Sequence, residues 1–327
     1  ILLTSMVLLM IIVGGLTRLT ESGLSMVDWR PIMGTLPPLN NESWIEVFDN
    51  YKKSPEFLII NNYMTLNEFK YIFWWEWAHR FLARCLGVVF LIPFVYFLFK
   101  KSLSNKLIIS VMIVLCFGIL QAVVGWWMVK SGLVDNPYVS SYRLAFHLFI
   151  AMIIFTMLFW ISISVIYNKE KNYNASKLLK HLFHFSLFLI FLTIISGAFM
   201  SGSDAGKSFN TYPLMDERLF PEEYYINSYG WLNIFENIVA INFNHRWLAT
   251  FTFLFVTSVI IYALFSKKFE SNKISLYLAL FFIFFQFLLG ILTLIYGVPI
   301  FFASLHQTNS VLLLGSMLFS YYKINYK

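Results

Sequence analysis

The sequence predicts an all-α membrane protein of eight transmembrane helices, arranged as two pseudo-symmetric four-helix bundles, and three observations carry that prediction. The 327 residues are 59% hydrophobic, 20% aromatic and only 13% charged, with a mean hydropathy of +0.69. That is more apolar surface than a soluble core of this length can hide. The apolar stretches are long and continuous and do not alternate in strand fashion, which selects helices over a barrel. Finally, a pattern of histidine, glutamine and glycine runs through the chain twice.

The expected spans are 1–16, 74–99, 107–129, 143–167, 182–200, 243–265, 274–296 and 302–320. The first is short and does not begin with Met, so the chain reads as truncated and no targeting peptide is assigned or excluded. Loops 100–106, 168–180 and 266–273 hold Lys100, Lys101, Lys106, Lys169, Lys171, Lys177, Lys180, Lys267, Lys268 and Lys273 against only Glu170 and Glu270. By the positive-inside rule these loops face the cytoplasm, or the matrix in an organelle, and both termini lie on that side. Loops 17–73 and 201–241 collect most of the acids, among them Glu42, Glu46, Asp49, Asp216, Glu217, Glu222 and Glu223. The net charge of +7 is accounted for by this asymmetry, so it implies no nucleic-acid partner. Cys85 and Cys116 fall inside spans, which argues against a structural disulfide, and without a Cys-x-x-Cys there is no thiolate metal site.

His79, Gln121 and His147 fall in spans two, three and four, at separations of 42 and 26; His245, Gln286 and His306 fall in spans six, seven and eight, at 41 and 20. Gln121 heads "QAVVG" and Gln286 heads "QFLLG". The chain therefore reads as tandem halves, 1–168 and 169–327, with Lys169 to Lys180 as the linker. Four spans per half make the repeats parallel, related by an axis along the membrane normal.

All four histidines belong to the outer half of the membrane. A charge costs roughly 2.5–3.5 kcal/mol at mid-bilayer and a polar group near the interface costs less, so each histidine calls for a partner. A lone interfacial histidine is most often an anchor or a satisfied hydrogen-bonder. Four of them in two matched pairs on one side fit two bis-histidine haem sites inside helical bundles. His181 and His184 keep the plainer reading, since the other half has no counterpart. The 36 phenylalanines and 10 tryptophans are read mainly as lipid-facing and interfacial residues.

"WWEWAHRFLAR" (74–84) and "NFNHRWLAT" (242–250) share a His-Arg pair. Helical neighbours point about 100° apart, so Arg80 and Arg246 cannot share the iron but can reach haem propionates; snorkelling to lipid phosphates is the alternative. Glu76, three residues before His79, shares its face and would sit over the same macrocycle, where a carboxylate can take a proton or stabilise charge. Its alternative is a plain i,i+4 pair with Arg80. Asn242 holds the corresponding place in the second half and cannot do that work. The doubled phrase thus argues for two haem sites and one reacting site.

Together "GGLTRLTESGLS" (14–25), "EFKYIFWWEWAHRFLAR" (68–84), "GWWMVKSGL" (125–133), "SYRLAFHL" (141–148), "SGAFMSGSDAGKSFNTYPLM" (196–215), "NFNHRWLA" (242–249) and "HQTNSVLLL" (306–314) resemble the haem A synthase family, in its mitochondrial and alphaproteobacterial form. The resemblance runs in order over nearly the whole chain. It implies an eight-helix oxidoreductase that converts the C8 methyl of haem O to the formyl of haem A through a hydroxylated intermediate, for cytochrome oxidase maturation. It further implies that Glu76, His79 and His147 belong to the substrate-haem half, with Glu76 catalytic. His245 and His306, with Arg246, would belong to the half holding a haem b cofactor. Two departures stand out: loop 17–73 lacks the cysteine pair of some bacterial members, and Ala83 stands where members often have Gly. Haem O synthase and oxidase assembly proteins are the implied partners, beside an unnamed electron acceptor and the bilayer.

Two rival classes are a di-haem b-type electron carrier and a non-catalytic haem carrier or assembly factor. The first class typically bears two ligand histidines several turns apart on one helix, and no helix here does; Glu76 and the long outer loops argue against the second. The richness in Lys, Asn, Ile and Phe points to an AT-rich genome, hence to a bacterial inner membrane over a mitochondrial one.

Overall fold

The computed structural model describes residues 1–27, 33–134, 137–167, 176–266 and 273–325. Within them the regular structure is helical: α1 (Leu2–Leu19), α2 (Asn41–Tyr51), α3 (Pro55–Ile59), α4 (Leu66–Phe99), α5 (Asn105–Lys130), α6 (Ser141–Ile166), α7 (Lys177–Gly202), α8 (Asn233–Glu236), α9 (Ile238–Phe265), α10 (Lys273–Ile295) and α11 (Ile300–Asn325), with short 3₁₀ turns between. Seven of these, α1, α4, α5, α6, α7, α9 and α10, are long and apolar enough to cross a bilayer, which makes the chain a multi-pass membrane protein. The expected eighth span, α11, has the length but not the apolarity, because His306, Gln307, Thr308, Asn309 and Ser310 fill its second and third turns. Lys169, Lys171, Lys267 and Lys268, with Glu170 and Glu270, lie outside the described residues, as does the 168/169 boundary.

The helices start earlier than the apolar runs because polar caps, not hydropathy, set their ends. Ser104 accepts from the Leu107 N–H, Ser176 from Leu179 and Asn237 from Val239. For α4 the signal is a capping box: Thr65 accepts from the Glu68 N–H at 3.4 Å and Glu68 accepts from the Thr65 N–H at 2.8 Å. The turns so added place Phe69, Ile72 and Phe73 ahead of the apolar run, where they pack on Trp44, Phe48 and Tyr51 of α2. Ring centroids stand 5.0 Å apart for Phe48–Phe69, Tyr51–Phe69 and Trp44–Phe73. Such pairs add roughly 0.5–1.5 kcal/mol each beyond their area burial. Loop 17–73 is thus in part a small folded element seated on the start of α4.

Two compact units divide at Phe155 and Thr156, within α6: Ile1–Phe155 and Thr156–Lys327. In the first, α1 and α2 pack on α4. In the second, α7 meets α9, α9 meets α10, α10 meets α11, and α11 returns to α7, so four helices close a cycle around their shared core. Its filling includes Phe183, Ile190, Val256, Ile260, Leu276 and Met317, all essentially inaccessible. The tail of α11 is tied down by the Tyr322 hydroxyl, which donates to the Tyr167 carbonyl at 2.7 Å.

A carboxyl group sits inside the aromatic element. Glu56, 6% exposed, accepts from the Tyr51 hydroxyl at 2.9 Å, and Asn61 donates to that same hydroxyl at 2.8 Å. Burial first, with Glu76 and Glu21 adding repulsion against the Tyr51 hydrogen bond, raises the Glu56 carboxyl from its ordinary 4.5 to about 7. A folded-state value above the unfolded one means that the native form holds the extra proton. Stability is therefore fully present below about 4.5 and declines as pH rises through about 7, by about 3 kcal/mol in all. Backbone amides of residues 44–57, followed by hydrogen exchange corrected for intrinsic rates, are expected to lose protection from pH 5 to 8. Glu56→Gln should flatten that dependence; an unchanged slope would mean that Glu56 is not its source.

Candidate functional site

Every histidine singled out by the sequence beds on a glycine of the preceding span. A Cβ built on Gly14 of α1 would stand 2.9 Å from His79 Cε1 of α4, and one on Gly125 of α5 would stand 3.0 Å from His147 Cε1 of α6. In the second unit Gly197 of α7 faces His245 of α9 at 3.3 Å, and Gly290 of α10 faces His306 of α11 at 3.0 Å. These gaps leave little or no room for a methyl group, so glycine is what lets each imidazole lie flat against the neighbouring helix. Each unit thus holds two of these imidazoles, each against its own glycine.

Imidazoles so placed are residues that could hold haem iron. His79 Nδ1 and His147 Nδ1 are buried without a hydrogen-bond partner, where a buried polar atom ordinarily has one. His245 Nδ1 lies 2.7 Å from Ser196 Oγ, which leaves its Nε2 for a metal. The glutamines of the two repeats also converge on the sites. Gln121 Nε2 is 3.2 Å from His147 Nε2, and Gln286 Nε2 is 3.2 Å from His306 Nδ1. His184, by contrast, packs its ring 4.7 Å from that of Tyr321.

Glu76 and Arg80 do more than the sequence foretells. The carboxylate, 3% exposed, pairs with Arg80 Nη2 at 2.5 Å through Oε1, while Oε2 accepts from Ser25 Oγ and the Met26 N–H at 2.7 Å each. Arg80 in turn donates to the Met26 carbonyl at 3.0 Å. The chain leaving α1 is thus latched onto α4 by Glu76 and Arg80. The second unit repeats the latch with different chemistry: Asn242 donates to the Ala205 carbonyl at 2.7 Å, and Arg246 donates to the carbonyls of Phe209 and Thr211 at 2.7 and 2.8 Å. A carboxylate can only accept, so the first latch is built on N–H and O–H donors; an amide can donate, so the second is built on carbonyls. Arg246 Nε remains a buried donor without a partner.

A cavity of about 190 Å³ opens beside the first latch, lined by Met26, Val27, Arg80, Trp126 and Lys130 among others. Its two cations suit an anionic group. The position matching Lys130, counted from the glycine of each repeat, is Ile295 in the second half.

Sequence reading missed Gly14, Gly197, Ser25, Met26 and Ser196 as site residues. Gly125 and Gly290 stand out because a glutamine precedes each by four, whereas Gly14 and Gly197 share no such neighbour. The contacts of Ser25 and Met26 span about fifty positions, and no local pattern encodes them.

Comparison with known proteins agrees with this geometry. Residues 1–318 match the COX15-CtaA family, described as cytochrome oxidase assembly protein. The chain is 40% identical over 323 residues to the "Heme A synthase" of Nitrosospira multiformis, covering 96% of this chain and 89% of that protein. It is 42% identical over 315 residues to that of Wolbachia pipientis wMel, covering 96% and 88%. Against that of Flavobacterium johnsoniae it is 40% identical over 327 residues, covering 97% and 94%. With two histidine pairs bedded on glycines and a family match over nearly its whole length, the chain belongs to the COX15-CtaA family of cytochrome oxidase assembly proteins.

Proposed function

We propose that this chain is a haem A synthase, an oxidoreductase that converts the C8 methyl of haem O to the formyl of haem A through a hydroxylated intermediate, for cytochrome oxidase maturation. The observation that carries the reading is that each unit holds two histidines, each against a glycine, and that among the described residues a buried carboxylate, Glu76, lies on a histidine-bearing helix in the first unit alone. The functional halves are 1–168 and 169–327, eight membrane helices in two four-helix bundles, with both termini on the cytoplasmic side of a bacterial inner membrane. His79 and His147 would hold the iron of substrate haem O, and His245 and His306 would hold that of a haem b cofactor, which would supply one-electron transfer.

The residues of the chain divide the remaining work. Glu76, held in one orientation by three donors, presents fixed negative charge on the face of α4 that carries His79. Oxidising a porphyrin methyl at hydride level places positive charge next to the ring, and a preorganised anion there lowers that barrier. Arg80 and Lys130 receive substrate propionates at the cavity mouth, and Arg246 Nε does so in the second half. The two latches keep water from the ligand histidines and hold the macrocycle in place.

Purified protein incubated with haem O and an electron acceptor is expected to yield hydroxylated and then formyl haem, identified by mass after extraction. Redox cycling with an unchanged haem would instead favour a di-haem carrier, and binding without redox activity a haem-transfer factor.

A further inference from the structure

The two histidine pairs differ in what supports them. In the second unit Ser196 Oγ donates to the Thr193 carbonyl at 2.8 Å, and with its only proton so engaged it accepts from His245 Nδ1–H at 2.7 Å. That bond fixes the tautomer and leaves the Nε2 lone pair free to ligate a metal. Asn309, one turn beyond His306, donates to the Phe282 carbonyl at 2.9 Å and to Gln286 Oε1 at 2.8 Å, which aims the Gln286 amide at His306. The residues at matching positions of the first unit are apolar. Val13 precedes Gly14 as Ser196 precedes Gly197, and Ile150 follows His147 by three as Asn309 follows His306. There His79 Nδ1, His147 Nδ1 and Gln121 Oε1 are all buried without partners.

We propose that Ser196 and Asn309 are positioning residues that make the second haem site a retaining one, while Val13 and Ile150 leave the first site loose enough to take up and release its haem. The proposal rests on the assignment of substrate and cofactor to the two halves. The chemistry asks for this difference: a cofactor must survive many turnovers, whereas a substrate of nearly identical shape must leave after each. Both sites use two histidines on glycine beds, so the axial ligands cannot make the distinction. Hydrogen bonds behind them can, because loss of such support lowers metal affinity roughly 10- to 100-fold.

The test measures haem loss from the full-length, haem-loaded protein in detergent to excess apomyoglobin, with the departing haem identified by mass. Ser196→Val and Asn309→Ile are each expected to speed loss of haem B roughly 10- to 100-fold. Ser196→Val should also raise the haem B midpoint potential, because a histidine that loses its Nδ1–H acceptor donates less to ferric iron, and Ser196→Thr should restore both properties. In the opposite direction, Val13→Ser should slow release from the first site, so that product haem accumulates on the enzyme and kcat falls more than kcat/KM. This variant also guards against a merely misfolded Ser196→Val. Unchanged haem B release and potential in Ser196→Val and Asn309→Ile would overturn the proposal and leave the assignment of halves intact. Faster loss of haem O or haem A in place of haem B would overturn both together.

Discussion

Replacing His245 or His306 by alanine will deplete haem B from the purified protein while the first half keeps its pocket; replacing His79 or His147 will spare haem B and abolish turnover. The magnitudes follow from ligation. Losing an axial ligand costs at least as much as losing a hydrogen bond behind one, which is roughly 10–100-fold in affinity. His245 and His306 sit in a unit whose helices close on themselves, so removing one imbalances that unit and leaves His79 and His147 with their own glycines. On the proposed assignment, the substrate iron of the His79 and His147 variants would lose a ligand and its methyl would no longer be held beside Glu76, and positioning errors of this kind alone cost large factors in rate. Haem content by extraction, set beside formyl-haem production and expression level, checks both halves of the statement. Equal depletion of haem B in four properly folded variants would contradict separate substrate and cofactor sites.

Glu76→Gln is expected to cost roughly 10²- to 10⁴-fold in methyl oxidation, about 3–5 kcal/mol in barrier, with haem content little changed. The amide oxygen can still accept from one of Ser25 and the Met26 N–H, so the latch is weakened without being lost. What disappears is the negative charge, and with it the ion pair to Arg80, which is only 13% exposed. A structural role and a chemical one separate through Ser25→Ala, which removes a latch bond at 2.7 Å and keeps the carboxylate. Near-normal turnover in Ser25→Ala beside a large loss in Glu76→Gln places the effect in the charge. Comparable losses in both variants would mean that Glu76 acts by holding the loop.

Much of the molecule was legible beforehand because membrane helices are written locally. A run of apolar residues long enough to span a bilayer must be helical whatever surrounds it, since its backbone has no other partners there. The helices at 74–99, 107–129 and 243–265 therefore appear at their expected places, extended by capping residues that hydropathy does not weigh. The histidines were legible for a related reason: polar groups in apolar runs are costly, so matched pairs of them stand out. At α11 the polar second and third turns leave the helix outside the seven that qualify as spans by length and apolarity.

By itself, then, the sequence determined the helical membrane class, the repeat, the four histidines and the difference between Glu76 and Asn242. Tertiary structure alone decided what those residues touch. It set the glycine under each imidazole, the turn of Glu76 towards Ser25 and Met26, the hold of Arg246 on the loop carbonyls, and the support of His245 by Ser196 where His79 has only Val13 beside its glycine. The physical reason is reach. Hydropathy and helical period act over a few residues and can be read in one dimension, whereas a hydrogen bond or a glycine contact joins positions tens of residues apart. Which glycine or serine meets which histidine is settled only when the helices pack.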